Sequence, residues 1–259
     1  MISLETARPD IVPFVDPALF GPTIRQMVQH HIIPGHVHEA DFHYFRDLGP
    51  QHVFCDIGAN LGASVISLAA TGATCPIHSF EINPALYPVL REMAATTSNP
   101  WTLHEFGLAD HAGKKSIYIA KAGELYILGE GTLRLDFLQE PASLKRLRTY
   151  TVDGVLEVGR MEVDVRRFDD LGLIPTHIKM DAEGAEATVL RGMLQTLHDH
   201  KPLMMIENGD SVNVDTIMFG AGYKPYFYDV AKHILLPRDH GTQNSFYVHR
   251  SRLSDYGLD

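Results

Sequence analysis

Short apolar runs alternate along this chain with stretches of helical spacing. Strands are predicted at 53–57, 76–81, 102–106, 176–181, 203–207, 223–228 and 244–249. Helical periodicity is clearest at 64–70, Pro84–Thr96, Ala185–His198 and Val212–Ala221, with Asn83-Pro84 as a helix start. This alternation predicts an α/β fold: a seven-stranded, mostly parallel sheet with helices on both faces and ligands at the carboxyl ends of its strands. Val230–Thr242 carries turn residues and no long helix, so the sheet is expected to end in a hairpin with an antiparallel last strand. Residues 1–50, rich in Pro and His with helical patches at 23–31 and 41–47, read as an N-terminal cap. Residues 51–251 read as the core and 252–259 as a C-terminal tail. The core carries an insertion at about 112–165. Within it Ser116–Ala120 and Glu162–Val165 read as strands able to pair, and 121–160 between them is either a substrate lid or a surface excursion.

The densest chemistry lies in Val53-Phe-Cys-Asp-Ile-Gly-Ala-Asn-Leu-Gly62, followed by Ile77-His-Ser-Phe-Glu-Ile-Asn-Pro84. A buried strand runs into a glycine turn and a helix, and a second strand closes on Glu81. Gly58 and Gly62 permit a tight turn and close backbone approach to a ligand. The Glu81 carboxylate can accept hydrogen bonds from both hydroxyls of a ribose. A dinucleotide site calls for G-x-G-x-x-G with a pyrophosphate on the helix N-terminus. Here Asn60 stands between Gly58 and Gly62, and Asp56 precedes the turn, where a carboxylate repels a pyrophosphate. The pattern suits a ligand bearing an ammonium, a sulfonium and a ribose, which S-adenosylmethionine combines. A turn that only joins strand to helix explains the glycines but neither acid.

Composition narrows the picture little. The chain has 259 residues, 45% of them hydrophobic, enough for one large α/β domain. With 22 Lys and Arg against 32 Asp and Glu, the net charge of −10 argues against a surface that tracks nucleic-acid phosphates. Lys145-Arg-Leu-Arg148 is a basic patch, read as a solvated helix face. Cys55 and Cys75 match no metal or redox spacing, and a reducing, cytoplasmic setting is expected. No signal-peptide pattern opens the chain, and no apolar run reaches membrane-spanning length, so neither membrane nor nucleic acid is an expected partner.

A second cluster, Thr176-His-Ile-Lys-Met-Asp-Ala-Glu-Gly-Ala-Glu186, places Asp181 at a strand end and Glu183 in the following turn. Glu186 falls in a first helical turn, where acids commonly complement the dipole. The next strand ends in Glu207-Asn208, so Asp181 and Glu207-Asn208 are expected side by side. These segments together, with Val189-Leu-Arg-Gly192, resemble the FkbM family of S-adenosylmethionine-dependent methyltransferases over roughly residues 36–210. The resemblance implies the class I methyltransferase, Rossmann-like fold, and O-methylation of a small-molecule hydroxyl on a sugar, polyketide or other natural product. By position it implies Asp56, Gly58, Asn60 and Gly62 along the methionine, Glu81 at the ribose, Phe106, Gly107 and Leu108 around the adenine, and Asp181 beside the donor. It also implies His38 and Glu39 near the acceptor. Arg166-Arg-Phe-Asp-Asp-Leu171 departs from the Thr-Leu-Asp that usually opens this segment.

Methyl transfer needs an oxygen nucleophile held in line with the methyl group and shielded from water. Three arrangements stay open: Glu183 or Asp181 as general base, with Glu207 beside them; Mg²⁺ on Asp181, Glu207 and Asn208; or positioning alone. His30, His31, His36, His38 and His43 crowd the cap in no recognised metal spacing and read as solvent-facing, while His78 and His177 read as structural. A non-catalytic S-adenosylmethionine-binding scaffold is the main alternative, and a nicotinamide oxidoreductase a weaker one. The residues select neither the acceptor nor an oligomeric state.

Overall fold

In the computed structural model, residues 10–12, 35–95, 97–122, 125–150, 156–209, 211–238 and 242–258 are described. The cap patch at 23–31, with His30 and His31, lies outside them. In chain order the strands and helices are β1 (Asp10–Val12), β2 (Phe54–Ile57), α1 (Ala63–Thr71), β3 (Ile77–Phe80), α2 (Tyr87–Ala94), β4 (Trp101–His104), β5 (Gly107–Leu108), β6 (Gly113–Ala122) and β7 (Leu125–Tyr126). There follow α3 (Pro141–Leu147), β8 (Glu157–Arg166), β9 (His177–Met180), α4 (Glu186–Arg191), α5 (Leu194–Asp199), β10 (Leu203–Glu207), α6 (Ser211–Gly220), β11 (Tyr223–Asp229), β12 (Ile234–Pro237) and β13 (Asn244–His249).

The apolar runs at 53–57 and 176–181 become β2 and β9, in which every residue is buried, as a strand covered on both faces requires. The main sheet runs β12-β11-β13-β10-β9-β2-β3-β4. From β4 to β10 all pairings are parallel, and β13 lies antiparallel to both β10 and β11. The sheet therefore has eight strands where seven were expected. The added one, β12, comes from the stretch read only as turns. His233, at φ 57°, closes a tight turn by donating its N–H to Asp229 O at 2.8 Å, and β12 folds back on β11. Four residues are too few to show a period of their own.

The expected helix at 185–198 breaks into α4 and α5 around Gly192. A Cβ on Gly192 would stand 2.0 Å from Ala109 O, so another strand-end loop occupies the space a continuous helix would need. Asp169 caps the second piece, accepting from Gln195 N, Thr196 N and the Thr196 hydroxyl.

The insertion is built on a second sheet, β1-β8-β6-β7, with β5 also on β8. β6 and β8 pair antiparallel, Ser116 opposite Glu162. The described residues between them form β7, short 3-10 turns and α3, and residues 128–133 of this stretch lie against the carboxyl ends of the main strands. In the cap, Ala40–Phe45 is a 3-10 helix whose Phe45 meets Phe54 edge-on at 5.1 Å. Leu253, Tyr256 and Leu258 of the expected tail pack on that same cluster. Among the described residues no helix is long and apolar enough to cross a membrane.

Candidate active site

At the end of β2 the chain turns so tightly that Gly58 and Ala59 both donate to Phe80 O at 3.0 Å. Gly58 has φ +85°, and a Cβ there would stand 1.8 Å from Asp181 O. The glycine is thus required twice, for the left-handed backbone and for contact with the end of β9. Gly58→Ala is expected to cost about 2–4 kcal/mol of stability in urea unfolding, from the positive φ and the overlap together. A variant within about 1 kcal/mol of the parent would contradict this packing.

Two spaces meet above these strand ends. A narrow cleft of about 60 Å³ is lined by Glu81, Ile82, Gly107, Leu108, Leu128 and Val189, among others. A chamber of about 480 Å³ adjoins it, walled by His38, Glu39, Ser64, Tyr126, Tyr150 and Lys179. Gly58, Asn60, Gly129, Asp181 and Glu183 face both. The chamber is within the usual range for small-molecule sites, roughly 300–1,000 Å³.

Glu81 is buried, with each carboxylate oxygen accepting one backbone N–H: Asn83 N to Oε1 and Asn60 N to Oε2, both 2.7 Å. Burial pushes its pKa up to about 7 despite those bonds. Asn60 sits at φ 49°, and its side-chain oxygen is buried without a partner among the described residues. Asp56, Gly62 and Phe106 stand one layer back and line neither space. Asp56 is fully buried and accepts from Ser79 Oγ at 3.2 Å; Gly62 is the left-handed residue that opens α1; Phe106 lies under the Arg166 guanidinium.

Asp181, Glu183 and Glu207 come together as expected from the strand ends. Asp181 Oδ2 accepts from Lys179 Nζ at 3.2 Å. Burial raises the Asp181 pKa more than any single neighbour lowers it, but the Lys179 charge and hydrogen bond, Glu207 and Arg146 together hold the carboxyl below its ordinary value. Burial, then the neighbouring Asp181 charge, pushes the Glu207 pKa up to about 8. Burial, then Asp181, pushes Glu183 up to about 9. Beneath them, Glu186 Oε1 accepts from Ala182 N at 2.8 Å and Gly184 N at 3.2 Å, fixing the loop that carries Glu183. The first-turn acid is here a loop brace.

The Mg²⁺ arrangement does not fit these contacts. Asn208 Oδ1 accepts from Ser245 Oγ at 2.8 Å, its amide group donates to Thr242 O, and the Lys179 ammonium already occupies one Asp181 oxygen, Oδ2. Among the described residues no three or more His, Cys, Asp or Glu are grouped to hold a metal. His38 Nδ1 meets Ser67 Oγ at 2.6 Å, and Glu39 accepts from Asn244 Nδ2 at 2.9 Å.

The insertion supplies groups that the sequence pattern did not single out. Asn83 Nδ2 donates to Leu128 O at 3.2 Å, and Arg134 Nη1 to Gly184 O at 3.2 Å. Phe137 covers Gly184 so closely that a Cβ there would overlap its ring. Arg146, read as part of a solvated basic face, is indeed exposed, yet its guanidinium also bonds Glu130 and Glu183. Lys179 was also passed over, although a lysine inside an apolar strand is itself a signal of a paired buried charge.

Residues 56–230 match the family model described as the methyltransferase FkbM domain. This chain belongs to the FkbM methyltransferase family. In fold it is similar to the methyltransferase FkbM of Methylobacillus flagellatus KT, at 17% identity and a TM-score of 0.50, covering 86% of this chain and 50% of that one. The chain thus spans about half the length of that protein. Weaker likeness, at TM-scores of 0.41, extends to two further structures. One is a precorrin-6y C5,15-methyltransferase from Geobacter metallireducens GS-15 (12% identity, 80% of this chain and 83% of that one). The other is Aeropyrum pernix fibrillarin with natively bound S-adenosyl-L-methionine (10% identity, 86% and 74%). No curated protein matches the sequence.

Proposed function

We propose that this FkbM methyltransferase transfers the methyl group of S-adenosylmethionine to a hydroxyl of a small molecule such as a sugar or polyketide. The observation that carries the reading is the position of Glu183, in the wall between cleft and chamber, so that one carboxyl can reach both reactants. The cleft fits the donor. The orphaned Asn60 side-chain oxygen suits an ammonium, Glu81 keeps lone pairs free for ribose hydroxyls, and Ile82, Leu108 and Leu128 offer apolar faces to a purine.

When bound, the donor supplies an electrophilic methyl on a sulfonium. The chain supplies the rest. Glu183 takes the hydroxyl proton as the C–O bond forms and the sulfonium C–S bond breaks, releasing S-adenosylhomocysteine, while Glu186 braces the loop and the insertion excludes water. With its pKa near 9 in the free protein, Glu183 carries a proton at neutral pH. A cation arriving beside it favours the ionised form. Binding of S-adenosylmethionine is therefore expected to release protons, and S-adenosylhomocysteine, with no charge on sulfur, to release fewer. Titration calorimetry in buffers of different ionisation enthalpy reads this directly, and equal release by the two ligands would contradict it. The reaction itself is tested with radiolabelled methyl donor and a panel of glycoside and polyketide alcohols. Label is expected in an ether product; transfer only to carbon or nitrogen acceptors would overturn O-methylation.

A further inference from the structure

Glu183 is held unevenly. Its Oε2 lies 3.2 Å from Arg146 Nη2, and among the described residues Oε1 accepts no hydrogen bond. The backbone beneath is fixed: Glu183 sits at φ +47°, Glu186 braces the loop from below, and Arg134 and Phe137 hold Gly184 from above. Only the side chain is left to orient, and the group that orients it comes from the insertion. Arg146 is on α3, and the nitrogen that meets Glu183 also bonds Glu130, another chamber wall.

The charges around Glu183 make that contact consequential. Asp181, just past β9, and Glu207 of β10 face it from the sheet ends, Glu130 from the turn after β7, and Glu186 from the start of α4, while His38 and Glu39 lie across the chamber. Lys179 is taken by Asp181 and Asp56. Arg146 bonds Glu183 directly. We propose that Arg146 is a positioning residue for methyl transfer: from the insertion it holds Glu183 Oε2 so that Oε1 receives the acceptor's proton. This rests on Glu183 being the general base.

The test does not need the natural acceptor. In protein carrying glutamate labelled with ¹³C at the side-chain carboxyl, the Glu183 signal is assigned by its loss in Glu183→Gln and followed through a pH titration. In Arg146→Gln its midpoint is expected to rise by about one pH unit or more, as for loss of an adjacent opposite charge. Arg146→Lys, which keeps the charge, is expected to stay close to the parent. With an alcohol turned over in the panel, Arg146→Gln should lower kcat by about 10- to 100-fold, the scale of lost positioning, at unchanged donor affinity, and move the acid limb of the profile to higher pH. An unmoved midpoint in Arg146→Gln, or a change confined to KM, overturns the positioning role. Full methyl transfer by Glu183→Gln would instead sink the base reading, whatever the titration shows.

Discussion

Glu183→Gln is expected to lose about 10²–10⁴-fold in kcat, the usual range for a general base, while binding S-adenosylhomocysteine about as the parent does and becoming the more stable protein above neutral pH. Both effects have one cause. Burial and the charges of Asp181, Glu130 and Glu207 push the Glu183 pKa up to about 9, from an ordinary value of 4.5. A carboxyl whose folded pKa is raised binds its proton more tightly in the folded state. Stability therefore declines as pH rises from about 4.5 towards 9, and is recovered on acidification. Glutamine removes that titration, so the variant should gain on the order of 2 kcal/mol at pH 8 and little at pH 4. Urea unfolding at the two pH values checks it. The rate loss should appear at saturating donor and acceptor, because Glu183 acts on a proton and Glu81 and Asn60 on the donor. A variant with full kcat, or one less stable than the parent at pH 8, would contradict this account of the site.

Lys179→Met is expected to destabilise by about 3–5 kcal/mol near pH 7, the cost of leaving buried charge without its partner. Lys179 is almost wholly buried, bonds Asp181 at 3.2 Å, and lies among Asp56 and Glu39. Its own pKa is raised, so its contribution is complete below the ordinary lysine value and is lost only in strong alkali. The acid side is set by its partner. Asp181 is held below its ordinary 3.8, and that stability fades as pH falls through the folded value. The deficit of the variant should thus be widest from about pH 5 to 10 and shrink towards pH 3, where the carboxyls protonate. Adding Asp181→Asn to Lys179→Met should recover part of the loss at pH 7. A single variant with the same deficit at pH 3 and pH 7 would show that Lys179 packs rather than pairs.

What the chain discloses before folding follows from how local each feature is. Gly58, Glu81, Asp181 and Glu207 were legible because each ends a short apolar run, and strand ends in such sheets converge by topology. Glu186 looked like a dipole-complementing acid and became a brace, since its Oε1 reaches back to two N–H groups of a loop whose shape no pattern reveals. Asp56 was read at the ligand, yet it points beneath the turn to Ser79 and Lys179. Alternation of side chains along β2 decides that, and a four-residue strand leaves little to count. Arg146 was illegible for a different reason. α3 has seven residues and no lasting period, and its Arg146 meets a partner far along the chain, at Glu183. The break at Gly192 and the eighth strand are likewise tertiary, set by Ala109 O and by β11.

The central claim is that the cleft closed by Glu81 and Asn60 holds the methyl donor. Titration calorimetry with S-adenosylhomocysteine on the parent protein and on Glu81→Ala tests it most directly, with NAD as comparison. One equivalent is expected to bind the parent, at least ten times more weakly to Glu81→Ala if the carboxylate holds ribose hydroxyls, at about 1.4 kcal/mol per tenfold, and NAD is expected to give no heat. Binding of NAD without the sulfur ligand, or equal affinity in the two proteins, would contradict the account.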